Sequence, residues 1–356
     1  MENAFNISVK KSQVDNTQRY DFTNIQFGTN PTDHIFTAEY KDGIWNNLQI
    51  EPFHNLTLSP LALCFHYGQA VFEGLKAYRC TNGNVNVFRI DRHADRFNLS
   101  LKRMSMPEVP KELFISAILH LIETDRSWVP SDLDSSLYLR PIAIATEPRI
   151  GVKISDEYLF VVMAMPMGQY FSKNLKVKVE TQYIRCATGG TGSAKCGGNY
   201  GGAFYPTAKA NKEGFDQVLW TDAQEHLYIE ESGMMNIMFV IDGILITPPL
   251  SGTILDGVTR DSLITIAKDM GIAVEERKIS HKELESALQT GKKVEAFGVG
   301  TAAVISPIES VSIGAKTYKV KISEKGIPFR LKEELKSIRS GRKPDIYGWN
   351  TIIHSV

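Results

Sequence analysis

The sequence predicts an α+β protein of two domains, and three features carry that expectation. Its 356 residues exceed what one typical core organises. Helical and strand periodicities are mixed through both halves without a regular βαβ alternation, which argues against a doubly wound parallel sheet. The texture also breaks at Pro166, where PMGQYF reads as a connection carrying Tyr170. Residues 1–165 are therefore expected as a small N-terminal α/β domain, 166–172 as a linker and 173–356 as a larger domain.

Residues 1 to about 20 are polar and read as a loosely held arm or a cover over a neighbour. Short β-prone runs follow at FTAEY, at Leu63 to Arg79 and at VNVFRI from Val85, the last two separated by an Asn82-Gly83 hairpin signal. Asp91 is read as the cap of a helix whose apolar positions are Ala94, Phe97, Leu101 and Met104, and which carries Arg96. A second helix, about 111–125, is apolar at Leu113, Ile118, Leu121 and Ile122. The strands SLYLRPIAIA and YLFVVMAMP come next, and alternation in the first puts Tyr138 and Arg140 on one face.

Beyond the connection the pattern restarts with LKVKVETQYIR, a glycine-dense loop and a helical patch at 203–212. DQVLWTD and LYIEESGMMNIMFVIDGILITPP read as strands, and a helix begins near Val258 and Thr259 and closes at Gly271. Strand AVEERKI, helix HKELESALQ, strand VEAFGVGTAAVIS and an amphipathic helix, PFRLKEELKSIR, complete the order.

Composition excludes several function classes. Forty Lys and Arg balance forty Asp and Glu, so net charge favours neither nucleic acid nor an anionic membrane as a partner. The most apolar run, YLFVVMAMP, is far short of the roughly 20 residues a membrane helix needs. The N-terminus has no hydrophobic block, and a cytoplasmic protein is expected. Cys64, Cys80, Cys186 and Cys196 show neither CxxC pairs nor partnering histidines, so free thiols and no metal site are expected.

The chemistry is concentrated in GGTGSAKCGGNYGG, residues 189–202, where Lys195 sits among glycines that let backbone approach a bulky group. A nucleotide-binding P-loop fails on residues, with Ala194 at the last glycine position and Cys196 where Ser or Thr must meet magnesium. A solvated lysine in a flexible loop is the plain alternative. The remaining reading is a lysine that forms a Schiff base with pyridoxal 5'-phosphate. That cofactor requires a carboxylate at its ring nitrogen, donors around a phosphate and a donor on its phenolate oxygen. Glu231 in EESGMMN, the helix start at Val258 and Thr259, Arg96 and Tyr200 are candidates in that order, each also explicable as an ordinary surface residue.

The segments RCATGGTGSAKCGGNYGGA, EESGMMNIMF, LDGVTRDSL, FGVGTAA, HYGQAVFEGLKAYR and SLYLRP together resemble the branched-chain amino acid aminotransferases of pyridoxal phosphate fold type IV, in order from about Phe27 to the C-terminus. The resemblance implies a small α/β domain, a larger pseudo-barrel domain and a homodimer with the active site near the subunit interface. It implies that Lys195 is the Schiff-base lysine, that Glu231 meets the pyridine nitrogen and that Tyr200 meets the phenolate oxygen. It gives Arg96, the N–H groups of Val258 and Thr259, and Thr301 to the cofactor's surroundings. Substrate would meet Tyr67, Tyr138, Arg140 and the Thr301–Ala302 backbone, between apolar walls from Phe27, Phe72 and Tyr170, with Ile150 and Val152 lent by the neighbouring subunit. Two departures stand out. Ala303 and Ser306 occupy the positions of a CxxC thiol pair known in some mammalian relatives, and Met234 stands where relatives carry small residues. The expected reaction moves the amino group of L-leucine, L-isoleucine or L-valine to 2-oxoglutarate. A D-amino acid aminotransferase or aminodeoxychorismate lyase is the nearest rival reading, and a nucleotide-binding protein a remote one.

Overall fold

The computed structural model describes residues 5–168 and 173–355. It divides into two compact units, and the chain passes between them more than once. The first takes the described residues up to 168 together with Ala194–Gly197 and 338–355, and the second takes most of the rest up to Ser337.

The first unit is built on one mixed sheet. In chain order its elements are β1 (Ser8–Val9), β2 (His34–Lys41), β3 (Ile44–Pro52), α1 (Leu63–Tyr67), β4 (Ala70–Phe72), β5 (Leu75–Arg79), β6 (Val85–Phe88), α2 (Ile90–Arg103), α3 (Lys111–Thr124), β7 (Ser136–Ala145) and β8 (Tyr158–Met167). The strands lie in the order β1-β3-β2-β8-β7-β5-β6, and the C-terminal strand Asn350–Ile353 closes the row against β6. Every pairing is antiparallel except β1 on β3. The N-terminal arm is thus held in the sheet. The Ser12 amide also donates to His34 Nε2 at 2.7 Å, while His34 Nδ1 lies 2.6 Å from the buried Asp125 carboxylate.

The long apolar strands β2 and β8 and the helices α2 and α3 bury one aromatic cluster. Phe160 is fully buried, with ring centres of Phe36, Phe97 and Phe114 at 5.7, 5.6 and 6.1 Å. Burying such side chains is the dominant favourable term in folding.

Two local expectations require correction. Leu63–Tyr67 is a helix rather than the start of a β-run, ended by Gly68 in the left-handed conformation with φ 69°. A glycine takes that conformation at no steric cost, which local strand propensity does not register. Asp91 lies in the first turn of α2 rather than capping it. The preceding Arg89 takes the left-handed conformation at the cap, without a side-chain bond to the helix.

The second unit contains β9 (Leu175–Glu180), α4 (Gly198–Gly201), α5 (Phe204–Lys212), β10 (Gln217–Thr221), β11 (Ile229–Ser232), β12 (Met235–Ile241), β13 (Ile244–Thr247), α6 (Val258–Asp269), β14 (Val274–Glu276), α7 (His281–Gln289), β15 (Val294–Gly300), β16 (Val304–Ile313) and β17 (Lys316–Lys319). Its sheet closes on itself. β11 pairs with both β10 and β12, completing the ring β11-β10-β9-β16-β15-β12. Val177, Ile237, Phe239, Phe297 and Val311 are fully buried, so the closed ring has the apolar filling that lets such a sheet dispense with edges. Helix α7 begins on a side-chain cap, with Ser280 accepting from the Glu283 amide at 3.0 Å.

Candidate active site

In the first unit the glycine-dense loop contributes Ala194–Gly197, which lies along β4. Val71 pairs with Cys196, the Phe72 amide donates to the Lys195 carbonyl at 3.0 Å and the Gly197 amide to the Ala70 carbonyl at 3.1 Å. The Lys195 amide donates to Ser100 Oγ at 2.9 Å, and that hydroxyl donates to the Arg96 carbonyl on α2. The backbone of Lys195 is therefore held on both sides, and its Nζ stands 4.7 Å from the centre of the Phe72 ring.

The same ring has a second cation. Arg140 Cζ lies 4.7 Å from the Phe72 centre, and Arg140 Nη2 donates to Tyr138 Oη at 2.9 Å. Residues 138 and 140 face the same way because strand side chains alternate. Phe27 meets Tyr138 edge-on at 5.0 Å. Among the described residues Arg140 has no carboxylate partner, and its Nε is buried without a hydrogen bond. A half-buried guanidinium left in that condition is suited to a ligand carboxylate.

Beside Phe72, Glu73 is fully buried and anchors Arg96. Its Oε1 accepts from Arg96 Nη2 at 2.6 Å and Nε at 3.2 Å, and its Oε2 accepts from Nη2 at 2.9 Å and from His93 Nδ1 at 2.5 Å. Burial pushes the Glu73 carboxyl up, but Arg96 and the His93 proton more than offset it, and the group lies at about 2. Burial pushes His93 down, so it donates as a neutral imidazole.

Tyr67 and Ile150 are exposed, joined by a hydrogen bond from the Tyr67 hydroxyl to the Ile150 carbonyl, and Val152 is exposed nearby in sequence. Tyr170 lies outside the described residues.

In the second unit Glu231, next to last in β11, is almost fully buried. Its Oε1 accepts from the Leu255 amide at 3.0 Å and Asn236 Nδ2 at 3.1 Å, and Arg185 Nε lies 2.9 Å from Oε2. Arg185 also donates to the carbonyls of Gly192 and Thr253, tying the glycine-dense loop to the segment before α6. A Cβ at Gly192 would overlap the Cys186 sulfur and stand 2.7 Å from the Thr253 backbone, so this close approach requires glycine. Val258 and Thr259 open α6, buried, directly after Gly257. Their position gives first-turn N–H groups and the positive end of a helix dipole. Tyr200 is on the single turn α4, and Thr301 and Ala302 form the turn between β15 and β16. Met234 packs on the cluster of Ala203, Ala210, Val218 and Trp220.

Residue patterns alone gave no role to Glu73, His93, Ser100, Arg185 or Asn236. Glu73 and Arg185 lie within the motifs, but a lone acid or arginine in a loop is ordinarily solvated, and only burial separates these two from that background.

The family model for amino-transferase class IV matches residues 70–311. Branched-chain-amino-acid transaminase 1 of Bacillus subtilis (strain 168) is 44% identical over 338 residues, 93% of this chain and 95% of the relative. The chain belongs to the branched-chain amino acid aminotransferases of class IV. Members of this class use pyridoxal 5'-phosphate. Among solved structures, this aminotransferase is similar to a branched-chain aminotransferase of Thermoproteus uzoniensis with norvaline, at 26% identity and TM-score 0.76 over 91% of this chain and 100% of that one. Its fold is also that of the branched-chain amino acid aminotransferase of Thermobaculum terrenum in its PLP-form, at 22% identity and TM-score 0.75, covering 91% and 99%. The α+β architecture with a closed barrel-like sheet is the fold type IV arrangement.

Proposed function

We propose that this aminotransferase exchanges the amino group of L-leucine, L-isoleucine or L-valine with 2-oxoglutarate, giving the branched 2-oxo acids and L-glutamate. The observation that carries the reading is the shared ring of Phe72, with the Lys195 amine and the Arg140 guanidinium each 4.7 Å from its centre. An aromatic wall suits an isobutyl group, and a cation at its edge suits the second carboxylate of 2-oxoglutarate, so one surface serves both half-reactions.

The residues present fit pyridoxal phosphate by the chemistry of their donors. Arg96 and the N–H groups of Val258 and Thr259 would serve its phosphate together with Thr301, Tyr200 would donate to its phenolate oxygen and Glu231 would hold a proton at its ring nitrogen. When bound, the cofactor supplies a carbonyl for the amino group and an electron sink for the pair left when the Cα–H bond breaks. Lys195 would be its attachment point and the base that takes the proton from the substrate Cα and delivers a proton to what was the cofactor's carbonyl carbon, so that the amino group stays with the cofactor when the 2-oxo acid leaves. Glu231 is held in place for that task by Arg185 and the Leu255 amide. Tyr67, Tyr138 and the Thr301–Ala302 backbone would bind substrate carboxylate, and Phe27 would add to the apolar wall.

The assembly in this reading is a homodimer in the cytoplasm. Leu61, Phe65, Tyr67, Ile150, Val152 and Ile154 are large apolar side chains exposed on the first unit, the kind of surface a second copy covers. Ile150 and Val152 are then lent to the neighbour's site. Four free cysteines suit a reducing compartment. No helix among the described residues is long and apolar enough to cross a membrane.

The test is a coupled assay for glutamate formed from 2-oxoglutarate with L-leucine, L-isoleucine, L-valine or D-leucine. Turnover with the three L-substrates supports the reading, and turnover with D-leucine alone rejects it.

A further inference from the structure

We propose that Glu73 and His93 are positioning residues that set the Arg96 guanidinium for an anionic group. This inference rests on the cofactor reading above and assigns the phosphate contact a support inside the first unit.

The geometry distinguishes this cluster from an ordinary ion pair. Glu73, His93 and Arg96 are all at least nine-tenths buried, on two different elements: Glu73 directly follows β4, while His93 and Arg96 are one turn apart on α2. The carboxylate takes the Nε–Nη2 edge of the guanidinium through both of its oxygens. A planar fork gripped along one edge cannot swing about its long side chain, so its remaining orientation is fixed before any anion arrives. His93 Nδ1 holds Glu73 Oε2 in turn, and this prevents the carboxylate from rotating away. The arrangement has the form of a base, an acid and a second support, as in sites where an outer partner sets the direction of the residue that makes contact.

Two physical effects predict opposite outcomes when Glu73 loses its charge. By Coulomb attraction alone, removing a carboxylate next to Arg96 strengthens the pull on an anion. If the carboxylate chiefly orients the guanidinium, the same change weakens anion binding, because a Gln amide brings N–H groups against N–H groups and Arg96 leaves its set direction.

The experiment uses the full-length chain as wild type, Glu73→Gln, His93→Leu and His93→Asn, the last keeping a donor near the Nδ1 position. Cofactor release from the holoenzyme is followed by absorbance, and the stripped full-length chain is titrated with pyridoxal 5'-phosphate and with phosphate-free pyridoxal. The expected result is at least about a tenfold loss of pyridoxal phosphate affinity in Glu73→Gln and His93→Leu, with pyridoxal affinity within about threefold of wild type. His93→Asn should recover most of the loss. Should Glu73→Gln fail to fold, the His93 pair decides the matter alone. Unchanged or tighter pyridoxal phosphate binding in the folded variants overturns the inference, as does equal loss of pyridoxal phosphate and pyridoxal. A wild-type chain that takes up neither compound overturns the cofactor reading itself, and with it this inference.

Discussion

A Cβ on Gly74 would overlap the phenol oxygen of Tyr138, the oxygen to which Arg140 donates at 2.9 Å. The glycine after Glu73 therefore sets how near the Tyr138 hydroxyl comes to β5, where Lys76 is paired with Tyr138 across the sheet. Gly74→Ala should force the phenol aside and break its bond with Arg140, at an overpacking cost of about 1–3 kcal/mol. The measurement is kcat/KM for leucine and 2-oxoglutarate beside thermal unfolding. A variant that loses stability while both kcat/KM values stay at wild-type level would detach Tyr138 from the substrate site.

Arg140 has aromatic neighbours and a phenol but no acid among the described residues. A ligand carboxylate that completes it makes a charge-assisted bond, so Arg140→Ala should weaken 2-oxoglutarate by about 10- to 100-fold more than leucine. Arg140→Lys should not restore it, because an ammonium lacks the planar fork that also rests on Phe72. Steady-state KM values for the two substrates decide it. Equal losses for both would remove Arg140 from the site of the second carboxylate.

Phe160 is fully buried among Phe36, Phe97 and Phe114. Phe160→Ala should cost about 3–5 kcal/mol in urea unfolding of the first unit, because three facing rings cannot all collapse into the void. A loss under about 1 kcal/mol would mean the cluster repacks freely.

How far the sequence leads depends on whether the signal is local. The β5–β6 hairpin followed from Asn82-Gly83, and α3 from its apolar spacing, because both are decided within a few residues. Helix α1 was missed, since five residues give too short a period and a glycine conformation ends them. Strand Asn350–Ile353 was missed too, as its pairing joins it to β6 near the other end of the chain. At the candidate site, Lys195 stands out in the sequence because glycines surround it. The burial of Glu73 and Arg185 depends on tertiary packing and leaves no periodic trace.

Cys186 leads into the glycine-dense loop, and its sulfur lies 3.0 Å from the Thr253 carbonyl. Burial pushes the thiol up to about 11, although Arg185 pulls the other way. The thiolate is the reactive form, so at pH 8 only about one molecule in a thousand carries it there. Iodoacetamide at pH 8, followed by peptide mass mapping, should label Cys186 in the unfolded chain and spare it in the folded one. Rapid labelling of the folded protein at Cys186 would show that the loop opens.

Glu73 ties acid stability to its buried cluster with His93 and Arg96. Its carboxyl lies at about 2 in the fold against about 4.5 unfolded. A depressed carboxyl contributes stability that is complete above the unfolded value and lost as pH falls through the folded one. The window is therefore about pH 4.5 down to 2, and the difference corresponds to about 3 kcal/mol. Denaturant unfolding of wild type from pH 7 to pH 3 should fall steeply below pH 4.5, while Glu73→Gln, which has no carboxyl to protonate there, should fall less. A decline beginning nearer pH 6.5 belongs instead to His93, which burial holds neutral and which must take a proton on unfolding. If the wild-type and Glu73→Gln curves run parallel below pH 4.5, Glu73 is not an ionised anchor for Arg96, because no proton is then taken up at that carboxyl when the fold opens.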